Sequence, residues 1–190
     1  MNTLEAIANR RSIRRYKSDP VPREVIEQIL KSACQSPSGK NRQPWRFVVL
    51  QGSKKDELVR IMADAVNQRK EDGIDTGSAE WSAKSMSQAP VCVLVFDGEA
   101  QHNIAPWEPG NHNIVDIQSI GGAIQTMLLA AEELGFGTLW ICDVFYAYYE
   151  IRDWLHRSDQ LIAAVSIGYA DESPGARPRN ELNAVTEWLL

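Results

Sequence analysis

The 190-residue chain carries none of the short motifs that mark metal, nucleotide or activated-nucleophile chemistry. It has no HExxH, no GxxxxGK[ST] and no GxSxG, which removes the metalloprotease, P-loop and serine-hydrolase readings. His102, His112 and His156 stand at no metal-ligand spacing from one another or from the cysteines, so no metal site is expected. GFGTLW (135–140) opens like a dinucleotide fingerprint, but Trp140 takes the place of the third glycine. That segment also runs from helix to strand, the reverse of the order that aims a helix N-terminus at a pyrophosphate. Cysteine is scarce. Cys34, Cys92 and Cys142 form no even framework, and each sits among apolar neighbours. Buried, reduced thiols in a reducing compartment are expected. No apolar run approaches the roughly 18 residues of a membrane span. The stretch MNTLEAIANRR lacks the apolar core of a signal peptide, so the expected location is the cytoplasm, with no membrane partner. A net charge of −5 speaks against a general nucleic-acid binder.

The positive charge that is present is concentrated. Residues 1–60 carry 13 Lys+Arg against 6 Asp+Glu, a local +7, whereas residues 61–190 carry 7 against 19, a local −12. RRSIRRY (10–16) places four guanidiniums within six residues. Charges so close repel one another, so a bound anion or a set of carboxylates must offset them. The blander role is a pair of helix-end cations, Arg10 and Arg11, with Arg14 and Arg15 on a solvated face. Two features favour an anion. Ser12 supplies a neutral donor among the guanidiniums, the mixture a phosphate takes. Arg177 and Arg179, in SPGARPR, are the only Lys or Arg of the last 33 residues and fall in a Pro/Gly loop after a strand. Two separated cationic loops suggest a phosphate monoester held by side chains.

The pattern of elements is alternating. Asn2 and Glu5 form a capping box for a short helix carrying Leu4, Ile7 and Ala8, and Pro22 opens a second helix. SPSGKNRQP (36–44) reads as a loop, FVVL (47–50) as a strand and 56–67 as a helix. The stretch 68–78 is polar and expected to be mobile. A helix near 80–87 precedes the strand VCVLVF (91–96), and 97–111 reads as a loop or lid containing Trp107. Residues 112–134 form the longest helical signal, apolar on most faces and therefore central. TLWIC (138–142), a helix at 148–156 and LIAAVSIGY (161–169) follow. The chain fits one domain over 1–190 with layered helices and strands.

In their order, RRSIRRY, SPSGKNRQPWRFVVL, IGGAIQTMLLAAEELGFGTLWI and IGYADESPGARPR resemble the FMN-dependent nitroreductase family over nearly the whole chain. The resemblance implies an α+β fold: a three-layer α/β/α sandwich with a mixed, mostly antiparallel sheet, a long central helix and an intertwined homodimer. It also implies FMN at the subunit interface. Arg10 and Ser12 match positions that hold the FMN phosphate, with Arg11 alongside, and Arg14 matches a cation at the pyrimidine edge. Pro37, Ser38, Gly39 and Asn41 match a loop reaching the flavin of the other subunit. Trp140, Ile141 and Cys142 match a strand end against the flavin, where a backbone amide of Cys142 or Asp143 would meet N5. Arg177 and Arg179 match a closing phosphate clamp, and Lys84 a second cation near the ring. The chain departs from the family pattern at Cys142, where many relatives carry glycine.

The implied activity is an oxidoreductase that takes hydride from NADH or NADPH and passes it to a small electron-poor acceptor, a nitroaromatic or quinone, by a ping-pong mechanism. Alternatives are reductive dehalogenation or flavin modification on the same fold, or a non-catalytic phospholigand sensor. No residue is a certain catalyst. Arg14 would act as an electrostatic stabiliser of the reduced ring. Gly121 and Gly122 within an apolar helix cost roughly 2 kcal/mol of helix propensity, which close packing against a second copy of that helix would offset. The apolar tail AVTEWLL (184–190) is expected to cross to the partner as an added edge strand.

Overall fold

The computed structural model describes residues 2–98 and 113–189. In chain order the elements are α1 (Thr3–Asn9), α2 (Arg23–Ala33), β1 (Trp45–Gln51), α3 (Gly52–Glu71), α4 (Ala79–Gln88), β2 (Val91–Asp97), α5 (Asn113–Glu133), β3 (Gly137–Ile141), α6 (Tyr148–Trp154) and β4 (Gln160–Gly168). Short 3₁₀ turns occupy Gly39–Asn41, Asp143–Ala147 and Leu182–Ala184.

The strand VCVLVF divides the core, because successive side chains point to opposite faces of a sheet. Val91, Val93 and Val95 pack with α2 and α5, through Ile26, Ile29 and Ile124. Cys92, Leu94 and Phe96 pack on the other side with Leu58, Met86 and Ile151, from α3, α4 and α6. Helices thus cover both faces of one sheet, the three-layer arrangement expected. The four strands run in the order β1-β2-β4-β3. All three pairings are antiparallel, with an irregularity in the β2–β4 register between Val95 and Phe96. The parallel component expected of a mixed sheet is, among the described residues, a single bridge between Ser12 and Thr138.

Several local expectations need correction. Asn2 and Glu5 do form the capping box, yet Leu4 and Ile7 are exposed and Ala6 is the buried residue of α1. Helix α3 runs over 52–71 rather than 56–67, so part of the polar stretch is helical. Cys92 is buried, but Cys34 and Cys142 are exposed, because each falls just past the end of an element. Helix α5, with 21 residues and a mean hydropathy of 1.4, is long and apolar enough to cross a membrane, contrary to the run-length expectation. Its side chains Ile120, Ile124 and Met127 lie instead in the protein core. The lid assigned to 97–111, with Trp107, lies outside the described residues beyond Gly98.

Candidate functional site

The cationic segment is held against the sheet like an extra edge. Ile13 N–H donates to the Thr138 carbonyl (2.9 Å), Lys17 N–H to that of Tyr169 (2.9 Å), and Asp171 N–H to that of Arg15 (3.0 Å). Room for this approach comes from two glycines that face each other across the β3–β4 pair, Gly137 and Gly168. A Cβ on Gly137 would stand 2.8 Å from Ile13, and one on Gly168 would stand 2.5 Å from Pro90 and 3.0 Å from Tyr16. The second glycine of GFGTLW therefore serves packing. Tyr16 is buried beneath the segment and donates its hydroxyl to the Ile13 carbonyl (2.7 Å). Burial raises the pKa of this phenol, with Cys92 and Glu172 adding to the effect, so it stays a protonated donor. Ile13 and Tyr16 thus point inward, while Arg14 and Arg15 are left on the outside.

Arg10, Arg11, Ser12 and Arg14 come together with Arg177 and Arg179 around one open cavity of about 390 Å³. No carboxylate lines it among the described residues. One guanidinium nitrogen of Arg11 does cap the end of α1, donating to the carbonyls of Ala8 (2.7 Å) and Arg10 (3.0 Å). The helix-end role therefore holds for Arg11 in part. Among the described residues, the Arg14 guanidinium bonds only the Ser12 carbonyl (3.3 Å) and that of Arg179 only the Pro178 carbonyl (3.4 Å). Among the described residues, none of these five arginines has a carboxylate partner. Charge so arranged selects an anion, and the mix of forks with the Ser12 hydroxyl fits a phosphate.

Arg14 also lines a second cavity of about 480 Å³, walled by Trp140, Ile141, Cys142 and Asp143 on one side and by Trp81 and Ser85 of α4 on another. Strand β3 stops at Ile141, one residue earlier than expected, so Cys142 and Asp143 turn away from the sheet and reach this space. Asp143 accepts the hydroxyls of Ser78 (2.9 Å) and Ser82 (2.5 Å), which ties the start of α4 to the end of β3. Tyr146 adds a bond to the Asp75 carbonyl (3.1 Å). Desolvation raises the pKa of the Cys142 thiol; a bond involving Trp140 works against this and the Asp143 charge adds to it. The two aromatic walls, Trp81 and Trp140, and the cation between the cavities suit a planar, electron-poor ring joined to a phosphate.

The remaining sequence candidates lie elsewhere. Lys84 faces away from both cavities: it lines a separate hollow between α3 and α4, and its ammonium lies 5.5 Å from the Trp81 ring centre. Ser78, Trp81, Ser82 and Ser85 face the end of β3, whereas Lys84 shares the neighbouring side of α4 with Glu80, Ala83 and Ser87. Pro37, Ser38, Gly39 and Asn41 also line neither cavity. Within one chain Ser38 accepts the Gln43 N–H (3.0 Å) and Asn41 accepts the Gln43 side-chain amide (3.4 Å), the turn-forming role such residues commonly have. This loop is nonetheless costly. Lys40, Asn41 and Gln43 all have positive φ, near 50°, and a Cβ at Gly39 would collide with Val115 of α5. Sequence reasoning missed Trp81, Ser82 and Glu172. A tryptophan on the polar side of a short helix was the available signal for the first; a serine and a glutamate in polar surroundings gave none.

A model of the nitroreductase family matches residues 7–169. The chain belongs to that family. Similar proteins include one from Methanothermobacter thermautotrophicus, provisionally named NADH dehydrogenase/NAD(P)H nitroreductase, 29% identical over 93% of this chain and 82% of its own length. An iodotyrosine deiodinase from Thermotoga neapolitana is 27% identical, covering 91% of each chain. Among solved structures, a provisionally named nitroreductase in complex with FMN from Desulfovibrio desulfuricans superposes with a TM-score of 0.79 at 27% identity, over all of this chain and 98% of the other. This nitroreductase-family fold is thus carried by the whole of the described chain.

Proposed function

We propose that this nitroreductase-family protein is an FMN-dependent oxidoreductase that uses NADH or NADPH to reduce a small electron-poor acceptor. The observation that carries the reading is the cavity of five arginines and Ser12 with no carboxylate among the described residues, joined through Arg14 to an aromatic-walled space. Arg10, Arg11, Ser12, Arg177 and Arg179 would hold the phosphate. Arg14 would stand at the negative edge of the reduced ring and favour its charge. Trp140 to Asp143 would form the floor, with a backbone amide of Cys142 or Asp143 available to orient the ring. Bound FMN supplies the capacity to accept a hydride and release it to a second molecule. Donor and acceptor share one cavity and use it in turn, a ping-pong scheme.

The reading includes a homodimer in which Pro37, Ser38, Gly39 and Asn41 complete the partner's site. Its support is the apolar surface left on α5, where Ile114, Val115 and Ile117 are exposed and Gly122 faces open space. The likeness to an iodotyrosine deiodinase supports a second reading, reductive dehalogenation in the same cavity. One spectrum tests the core of the proposal. The purified protein should be yellow after incubation with FMN and gel filtration, and should bleach with NADH or NADPH under argon. A protein that binds FMN but stays oxidised with both donors would be a sensor, and one that binds none would refute the reading. A bleached sample reoxidised by a nitroaromatic but not by an iodophenol favours the first activity over the second.

A further inference from the structure

Glu172 stands next to the arginine cavity without lining it, and its carboxylate is committed to the Arg14 and Arg15 amides and to the Arg15 guanidinium. Oε1 accepts the N–H groups of Arg14 (2.5 Å) and Arg15 (3.2 Å), and Oε2 accepts Nε of Arg15 (3.3 Å). Its side chain is 16% exposed. Burial works to raise its pKa, but the amides of Arg14 and Arg15 outweigh that and hold the carboxyl below its usual range. By Coulomb's law a negative charge at the edge of a phosphate site has the wrong sign. It repels the ligand that the arginines attract, so its presence there calls for a compensating role.

That role follows from its position in the chain. Glu172 lies between the sheet, through the Asp171 N–H bond to the Arg15 carbonyl, and the loop that carries Arg177 and Arg179. It is the only side chain among the described residues that accepts the Arg14 amide, and Arg14 is the one arginine that lines both cavities. Two consecutive amides converging on one oxygen fix the direction of the backbone there, and with it where the next side chain leaves. Resting on the function proposed above, we infer that Glu172 is a positioning residue for FMN: it fixes the Arg14 backbone so that this guanidinium stands between the phosphate end and the ring end of the site.

The sign of the effect separates this role from simple electrostatics. Removing a negative charge near a phosphate should tighten FMN if charge were all that mattered. A positioning role requires the opposite. FMN affinity, followed by quenching of flavin fluorescence, should fall about tenfold in Glu172→Ala, since charge-assisted bonds to two amides are lost. Glu172→Gln keeps an oxygen for both amides and should stay within about threefold of the unaltered protein, at or below its affinity. The effect should also pass through Arg14. In an Arg14→Ala background, Glu172→Ala should change affinity little, whereas a general structural loss would add in full. Circular dichroism establishes that each variant is folded. Should Glu172→Ala fail to fold, Glu172→Gln decides, and binding clearly tighter than that of the unaltered protein overturns the inference. So does a Glu172→Ala variant that binds FMN as well as the parent, or losses that are additive with Arg14→Ala. If the parent protein itself takes up no FMN, the function proposed above fails and the inference with it; if only the variant pattern fails, the function stands.

Discussion

Arg177 and Arg179 sit in a loop with no regular structure, and nothing in the chain neutralises them among the described residues. Replacing both with alanine should leave the fold intact and weaken FMN binding by about tenfold for each lost contact, a discounted figure because both side chains are exposed. Flavin content after gel filtration, beside an unchanged circular dichroism spectrum, checks this; full flavin content would show that the clamp is misassigned. The thiols make a separate prediction at this scale. Burial pushes the Cys92 pKa up to about 12, while desolvation raises that of the exposed Cys142 by less. A raised thiol pKa means less thiolate at neutral pH, and the thiolate is the form that reacts. Iodoacetamide should therefore modify Cys142 increasingly as pH rises, with Cys92 protected until the protein unfolds. Peptide mapping over a pH series would show the order.

The strained loop around Gly39–Asn41 depends on helix α5. Gly39 N–H donates to Ser119 Oγ (3.3 Å), Ser36 and Thr126 share a hydroxyl bond (2.8 Å), and Arg42 pairs with Asp116 (2.5 Å), whose side chain is 1% exposed. Removing one member of such a buried pair leaves the other uncompensated. Asp116→Ala should cost about 3 kcal/mol, the low end for buried pairs because Arg42 can relax toward solvent. Joint replacement, Arg42→Met with Asp116→Leu, should recover most of that loss. Urea unfolding would measure both. None of these tethers was legible in the sequence. A serine, an aspartate and a threonine in an apolar helix look like polar interruptions until the facing loop is known. The elements themselves were legible, because VCVLVF and LIAAVSIGY are short apolar runs rich in β-branched residues, and the apolar stretch at 112–134 is too long for a strand. Ends were less so: TLWIC loses its last residue because pairing with β4 stops at Ile141. The arginine site was foreshadowed by charge clustering, whereas Trp81 and Glu172 needed the fold to bring distant segments together.

At the scale of the molecule, the exposed apolar residues include two groups that one chain does not use. One is the α5 face with Ile114 and Val115; the other is the tail, where Val185, Trp188 and Leu189 are exposed and no strand forms. The proposed homodimer joins them, the tail adding to the partner's sheet. Deleting residues 184–190 should abolish the dimer in sedimentation and lose bound FMN with it, and a truncated protein that stays dimeric and yellow would refute the arm. The strand order β1-β2-β4-β3 has a different consequence, for how the chain is made. The strand between β2 and β3 is the last of the four to leave the ribosome. Until residues 160–168 emerge, β2, buried along its whole length in the finished protein, has one seam open. Strand β3 then has no strand to pair with, only the bridge from Ser12 to Thr138. Sheets closed by such distant pairings form late, with apolar edges exposed meanwhile. Synthesis slowed or interrupted in the stretch between β3 and β4 is where this protein would most need a chaperone.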